Sequence, residues 1–322
     1  MIHLLFTGGT ISMRRDARAG GNVPAHGGAA LVGFAPELER VAPFRIEDWG
    51  KYPACHLGPD RLFALRNRVR DLVSGAGEGG DRVRGVVLTH GTDTIEETAY
   101  LLARTVTPEV PVVLTGAMRT ADTAGWDGPR NLTDAARVAA HPDSRGRGTM
   151  VVFAGQIFAG HQAVKTEAVG LDAFSAPHGG PIGEVRGQEV RFFRSPRPPP
   201  TLDPPHLEAR VALIPAVIGD QGALLDLARP SHDGVVLVAF GSGNVPPGMV
   251  PAIRRWLGEG KPVVLASRCL TGEVTPVYAF PGGGATLVRD GAIPAGPRTA
   301  SQARIELVIS LSAGVRYGGG EP

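Results

Sequence analysis

Two short segments of the chain carry residue types suited to nucleophilic chemistry at strand ends. Thr7-Gly8-Gly9-Thr10-Ile11 follows the apolar run Ile2–Phe6, and Thr89-His90-Gly91-Thr92-Asp93-Thr94 closes the run Arg84–His90. Each brings a threonine hydroxyl and a glycine backbone to one place. The second leads into a helical pattern, whose N-terminal N–H groups and dipole favour negative charge. A threonine hydroxyl is protonated at neutral pH, so it attacks a carbonyl only with a base beside it and donors for the developing oxyanion. Lys165, in Gln162-Ala163-Val164-Lys165-Thr166, is the candidate base. The chain has three lysines (Lys51, Lys165 and Lys261), and the other 30 basic residues are arginine. An ammonium group can give up its proton at accessible pH, whereas a guanidinium effectively cannot. Asp93, next to Thr92, is a candidate to hold such a lysine. Plainer readings stay open at this level: a glycine turn without a role, and a solvated surface lysine. A phosphate loop is disfavoured, because neither G-x-G-x-x-G nor G-x-x-x-x-G-K-[ST] spacing is present.

These segments need a scaffold. Short apolar runs alternate with helical patterns along the chain, which predicts an α/β fold with largely parallel strands and crossover helices. Strands are expected at Ile2–Phe6, Arg84–His90, Val112–Thr115 and Met150–Ala154. Helices are expected from Pro59-Asp60, with Leu62, Leu65, Val69 and Leu72 on one face, over Thr94–Val106, and near Arg130–Ala140. Thr94 with Glu97 fits a capping box. Ser12–Gly33 follows neither periodicity and is expected to be a mobile functional loop. Ser195–Pro205 is a proline-dense linker, after which strands recur at Arg210–Pro215, Val235–Phe240 and Pro262–Ala266. Helices are expected there at Val250–Gly258 and near Gln302–Ser312. The chain thus divides into two α/β domains with largely parallel sheets: a larger N-terminal catalytic domain (1–193), a Pro-rich linker (194–208) and a smaller C-terminal domain (209–322). In such sheets ligands gather beyond the carboxyl ends of the strands.

Composition narrows the function. Over 322 residues, Lys+Arg is 33 and Asp+Glu 31, a formal net charge of +2, too near neutral for a protein that wraps nucleic acid. Gly 45 and Pro 28 are high counts but stay below the level that marks low complexity. Cys55 and Cys269 cannot build a disulfide framework, and no C-x-x-C or H-E-x-x-H spacing offers a zinc site. The longest apolar runs, such as Val235–Phe240, are strand-sized and far short of a membrane span. The N-terminus lacks the pattern of a signal peptide. A soluble, cytoplasmic protein without metal, membrane or nucleic-acid partner is expected.

Taken together, the two threonine loops, Leu88–Ala99, Pro111–Arg119, Asp127–Leu132, Lys165-Thr166, Phe174-Ser175, Gly241-Ser242-Gly243-Asn244 and Ser267-Arg268 resemble the bacterial-type L-asparaginase family, which includes glutaminase-asparaginases. These stretches run in family order to about residue 272. The resemblance implies cofactor-free hydrolysis of a side-chain amide to the acid and ammonia, with Thr10 as nucleophile of an acyl-enzyme. It implies that Thr92, Asp93 and Lys165 carry protons and position water, and that Asp93 meets the substrate's ammonium group. Gly9, Gly91, Ala117, Ala54 and Cys55 would line the substrate position, and Asn244 would reach a site shared between subunits of a homodimer or homotetramer.

The chain departs from the family pattern at two places. The loop that carries an assisting tyrosine in the family has none here, since the four tyrosines are Tyr52, Tyr100, Tyr278 and Tyr317. His26, Ser12 or the Lys165 set are the candidates to activate Thr10 in its stead. Ala54 and Cys55 stand where the family places a hydroxyl and an amide or acid, and an alanine side chain has no donor; a one-residue slip of the alignment would bring Cys55 or His56 there instead. Two alternatives follow from these departures: an amidase with shifted substrate specificity, and a non-catalytic amino-acid binder on the same scaffold. The amide-hydrolysing subunit of a transfer-RNA amidotransferase ranks last, for want of an RNA-facing module.

Overall fold

The protein is described here by a computed structural model covering residues 1–75 and 82–317. Contacts divide it into two compact units, Met1–Thr201 and Leu202–Pro322. In the first, the chain runs β1 (Ile2–Gly8), β2 (Met13–Asp16), β3 (Gly21–Pro24), α1 (Gly28–Gly33), β4 (Phe44–Tyr52) and α2 (Pro59–Ser74). It continues through β5 (Gly85–Thr89), α3 (Ile95–Thr105), β6 (Val112–Thr115), α4 (Gly128–Ala140), β7 (Thr149–Phe153) and β8 (Gln156–Ala159). The two-residue strands β9 (Val164–Lys165) and β10 (Phe174–Ser175) precede β11 (Gly183–Arg186) and β12 (Glu189–Phe192).

Eight of these strands form one sheet in the order β12-β11-β8-β7-β6-β5-β1-β4. The strands from β4 to β7 pair in parallel, and β8, β11 and β12 extend the sheet antiparallel. The central strands are apolar on both faces because both faces are covered. Ile2, Leu4 and Phe6 pack with Leu132, Ala135 and Ala136 of α4, whereas Leu5 and Leu88 pack with Leu65 and Val69 of α2 and Ala99 and Leu102 of α3. The strand order reverses direction at the centre. The chain leaves β1 towards its neighbour β4 on one side, but leaves β5 towards β6 on the other. The chain therefore departs to opposite sides beyond the carboxyl ends of β1 and β5, the position where open α/β sheets bind ligands. Both threonine segments sit at that switch point.

The second unit is a four-stranded parallel sheet, β13 (Val211–Pro215), β14 (Gly234–Ala239), β15 (Val263–Ser267) and β16 (Ile293–Pro294), in sequential order. Its helices are α5 (Ala223–Ala228), α6 (Val250–Gly258), α7 (Gly284–Arg289) and α8 (Ala300–Ser312). Trp256 of α6 is fully buried in the core, and its indole N–H donates to the Leu225 carbonyl at 3.0 Å.

Two expectations are corrected. Ser12–Gly33 is not an unstructured loop: it folds as the β2–β3 hairpin, turning through Gly20 at φ +70°, followed by α1. The hairpin is strapped down by Arg15 N–H donating to Asp122 Oδ2 at 2.8 Å and by Ala121 N–H donating to the Met13 carbonyl at 3.1 Å. The capping box at Thr94 and Glu97 does not form. A short 3-10 turn, Thr92–Thr94, precedes α3, and the Thr94 hydroxyl turns to the Ala54 carbonyl at 3.4 Å instead. The strand β4 is an element the periodicity does not reveal.

The backbones of Gly9 and Gly91 approach each other closely at the strand ends. A Cβ built on Gly9, which has φ +84°, would lie 2.5 Å from the Gly91 nitrogen, so no side chain fits. Gly9→Ala is expected to destabilise the fold by ~1–3 kcal/mol, combining left-handed strain with the forced separation of two loops. Urea denaturation checks this; a midpoint equal to that of the parent would contradict it.

Candidate active site

The switch point is built on short polar tethers. Gly9 N–H donates to the Tyr52 carbonyl at 3.1 Å, and the Thr7 hydroxyl to the Thr89 carbonyl at 2.7 Å, so the ends of β4, β1 and β5 are joined laterally. His90 N–H donates to the Thr115 carbonyl at 2.8 Å, which adds β6. Ala54 packs onto Gly91 closely enough that a Cβ on the glycine would be 2.6 Å from the Ala54 methyl. Thr10 thus emerges one residue after Gly9, and Thr92 one residue after Gly91, from two backbones already in contact.

Lys165 comes from the opposite direction, on β9. Its Nζ donates to Thr92 Oγ1 at 2.9 Å and to Asp93 Oδ1 at 2.8 Å. Thr92 is buried, the Lys165 side chain is 15% exposed and that of Asp93 is 74% exposed, so the cluster reaches from interior to solvent. A hydroxyl and an amine at this separation can pass a proton in either direction. The half-buried Thr10 makes no side-chain hydrogen bond among the described residues, so its hydroxyl is uncommitted. Ser12 is committed: it is 2% exposed, and its hydroxyl donates to the Gly9 carbonyl at 2.9 Å. His26 is half-buried with its ring edge-on to Phe34 at 5.4 Å.

The other candidates fall as follows. Ala54 is buried beside Gly91, while Cys55 and His56 are exposed. Ala117 is fully buried in the loop after β6. That loop is held by a residue pair whose positions the sequence displays without revealing their task. The Asp127 carboxylate accepts from Met118 N–H at 2.9 Å, Arg119 N–H at 3.0 Å and Asn131 Nδ2 at 3.0 Å. Asn131 also donates to the Gly116 carbonyl at 3.1 Å and accepts from Ala154 N–H at 3.2 Å. Ala154 has φ +49° in the two-residue β7–β8 turn, a strained conformation for a non-glycine residue that this bond helps to hold. The i, i+4 spacing of Asp127 and Asn131 across a helix start was the available signal. Asn244 belongs to the second unit, where its Oδ1 accepts from Gly284 N–H at 3.0 Å at the start of α7.

Beneath the Thr92 turn lies a buried histidine. His90 Nδ1 lies 2.9 Å from the Gly91 carbonyl, which only accepts, so Nδ1 carries the proton. Nε2 then accepts from the Thr98 hydroxyl at 3.0 Å, and the ring is neutral. Burial pushes its pKa down to about 4, against the Gly91 hydrogen bond, which favours the charged form.

The comparisons with known proteins agree with this architecture. The family described as "Asparaginase, N-terminal" matches residues 1–198, and "Glutaminase/Asparaginase C-terminal domain" matches residues 210–317. The chain is 40% identical to a probable L-asparaginase of Deinococcus radiodurans, over 97% of this chain and 92% of that one. It is 30% identical to L-asparaginase 2 of Escherichia coli, over 85% of this chain and 79% of the relative. The crystal structure of a probable cytoplasmic L-asparaginase from Campylobacter jejuni superposes with a TM-score of 0.83 at 26% identity, covering 97% of this chain and 94% of that chain. A two-unit α/β protein with threonine-bearing loops at its sheet reversal is the class that fold and site define. The chain belongs to the asparaginase family, a family of amidohydrolases.

The neutral His90 has a consequence for stability. Its folded pKa lies below the usual 6.5, so between about pH 6.5 and pH 4 the unfolded chain binds a proton that the folded chain refuses. Stability should therefore fall as pH drops through that window, with a slope of up to about 1.4 kcal/mol per pH unit from this group. Urea denaturation of the parent and of His90→Gln across that window checks this. The variant should lose that part of the slope, and parallel curves would contradict it.

Proposed function

We propose that the protein hydrolyses the side-chain amide of L-asparagine, or of a closely related ω-amide, to the acid and ammonia. The observation that carries this reading is the Lys165 Nζ held against Thr92 Oγ1 and Asp93 Oδ1 at the sheet reversal, on the turn that follows Gly91. Thr10 is the nucleophile. Its proton passes by way of Thr92 to Lys165, which acts here as the neutral amine, as Oγ bonds to the amide carbon. The tetrahedral intermediate then collapses, the C–N bond breaks, and the nitrogen takes up a proton and leaves as ammonia. Water oriented by Thr92 and Asp93 adds to the remaining ester, and the Thr10 oxygen departs with a proton to regenerate the hydroxyl. Gly9, Gly91 and Ala117 supply backbone around the substrate. The exposed Asp93 carboxylate suits an α-ammonium group, and exposed Cys55 stands at the rim.

A second reading is favoured by Ala54, an amidase of shifted specificity. A charge-assisted hydrogen bond to the substrate's carboxylate is worth about 1.5–3 kcal/mol, or roughly tenfold to a hundredfold in binding, and the Ala54 side chain cannot make one. Ammonia release from asparagine, glutamine and simple amides without the α-carboxylate separates the two readings. Asparagine turnover well above the simple amides supports the first, and near-equal turnover supports the second. Thr10→Ala should abolish release from every substrate, and Lys165→Met should lower kcat about 10²–10⁴-fold. Undiminished activity of Thr10→Ala would remove the nucleophile and the mechanism with it.

The reading extends to a homodimer or homotetramer with sites shared between subunits, to which Asn244 of a neighbouring copy contributes. Its support is an apolar surface on the second unit. Val217, Ile218, Leu224 and Leu227 are all exposed there, Ile218 by 95%, and such groupings commonly mark association surfaces. A cytoplasmic location completes it, supported by the exposed free thiols Cys55 and Cys269. Light scattering should return the mass of two or four chains, and Ile218→Asp should lower it. A monomeric parent protein would contradict the shared site.

A further inference from the structure

Lys165 is held at both ends by one helix start. Its Nζ meets Thr92 and Asp93, and its backbone N–H donates to Glu96 Oε2 at 2.9 Å. The turn from Thr92 to Glu96 therefore grips the lysine at its tip and at its root. Other directional anchors near the root are few: Thr166 N–H donates to the Ala173 carbonyl at 2.9 Å and Glu167 N–H to the same carbonyl at 3.3 Å. Strand β9 has two residues and lies outside the eight-stranded sheet, paired with the two residues of β10. Beyond it, residues 166–170 are all exposed. The neighbouring Val164 and Phe174 are anchored in apolar surroundings, with the Phe174 ring 5.0 Å from that of Phe153. Such contacts fix the depth of the segment more than the direction of its backbone amide, because apolar packing is non-directional. A hydrogen bond to a carboxylate is directional and charge-assisted.

We propose that Glu96 is a positioning residue for the hydrolytic reaction: by accepting the Lys165 backbone N–H it sets the point from which the lysine side chain reaches Thr92. The inference rests on the proposed role of Lys165. Lysine has four rotatable side-chain bonds, so a displaced root leaves the ammonium group many positions away from the threonine hydroxyl. Misplacing a reacting group by about 1 Å can cost on the order of a hundredfold in rate. The requirement is for an acceptor atom at this place, and a neutral amide oxygen can meet it.

Two variants and two readouts test this. Glu96→Ala removes the acceptor and should lower kcat about ten- to a hundredfold with KM changed less than about threefold. Glu96→Gln keeps an acceptor and should retain kcat within about threefold of the parent. The second readout is independent of catalysis: hydrogen exchange of the Lys165 amide, followed by NMR, should be fast in Glu96→Ala and slow in both Glu96→Gln and the parent. Parental kcat in Glu96→Ala, or a loss in Glu96→Gln as deep as in Glu96→Ala, would overturn the proposal. Should Glu96→Ala fail to fold, Glu96→Gln decides alone, retained kcat supporting and a drop beyond tenfold refuting. If the parent protein hydrolyses no amide, the functional reading fails. The exchange measurement still judges the tether, and unchanged protection in Glu96→Ala sinks it.

Discussion

Everything at the candidate site depends on two peptide backbones touching without side chains between them. Gly9 and Gly91 occupy adjacent strand ends, and a single methyl on Gly9 would overlap the other loop. Parallel strands lie about 4.8 Å apart, which leaves no room for side chains to intervene between loops that must meet directly above them. Glycine at both positions is the only composition that lets the chain turn there and keep Thr10 and Thr92 on neighbouring ledges. The lateral bonds from Gly9 to Tyr52, from Thr7 to Thr89 and from His90 to Thr115 then fix four strand ends as one platform. The helices on either face hold the sheet, and the sheet holds the glycines.

Upon that platform the polar groups divide into committed and uncommitted ones. Ser12, His90, Asp127 and Asn131 spend their hydrogen-bonding capacity on backbone groups or on one another. Satisfying them is favoured, because an unsatisfied buried donor or acceptor costs about 1–3 kcal/mol. Among the described residues Thr10 and the outward face of Asp93 stay free, half-buried and exposed respectively, and so does the buried Thr89 hydroxyl at the end of β5. The candidate site is thus a hydrogen-bonded frame carrying a few free groups, which is the arrangement expected of preorganised chemistry. Neutral His90 fits this division. Both of its ring nitrogens are engaged, Nδ1 with the Gly91 carbonyl and Nε2 with the Thr98 hydroxyl.

The order of elements was legible where periodicity and burial agree. Val112–Thr115 and Val250–Gly258 coincide with the observed elements, because the first is buried on both faces and the second carries one buried stripe. Phe44–Tyr52 escaped because it is an edge strand: Arg45, Ile46 and Asp48 are exposed, which erases the continuous apolar run expected of a central parallel strand. Ser12–Gly33 escaped for a different reason. Its hairpin is stabilised by a partner more than a hundred residues away, Asp122, and by glycine at the turn, neither of which produces a hydrophobic period. The capping box misled because a 3-10 turn intervenes, so Thr94 does not face the N-terminal amides of α3.

The site itself was readable as residue types but not as contacts. Thr92 and Lys165 are 73 positions apart, and only the fold brings them to 2.9 Å. The scarcity of lysine, three against 30 arginines, drew attention to Lys165, because a lysine can lose its proton at accessible pH and an arginine cannot. No comparable signal marks Glu96, since the atom it meets is a backbone N–H, and every residue except proline supplies one. Asp127 and Asn131 are similar, for their partners are the amides and carbonyl of the loop around Ala117. Sequence therefore displays the groups that act on a substrate more readily than those that hold them. The former need particular chemistry, whereas the latter need only an acceptor or donor at one point in space. That asymmetry explains why the supporting carboxylates emerge from geometry, whereas the candidate nucleophile and base were named from motif resemblance and residue type.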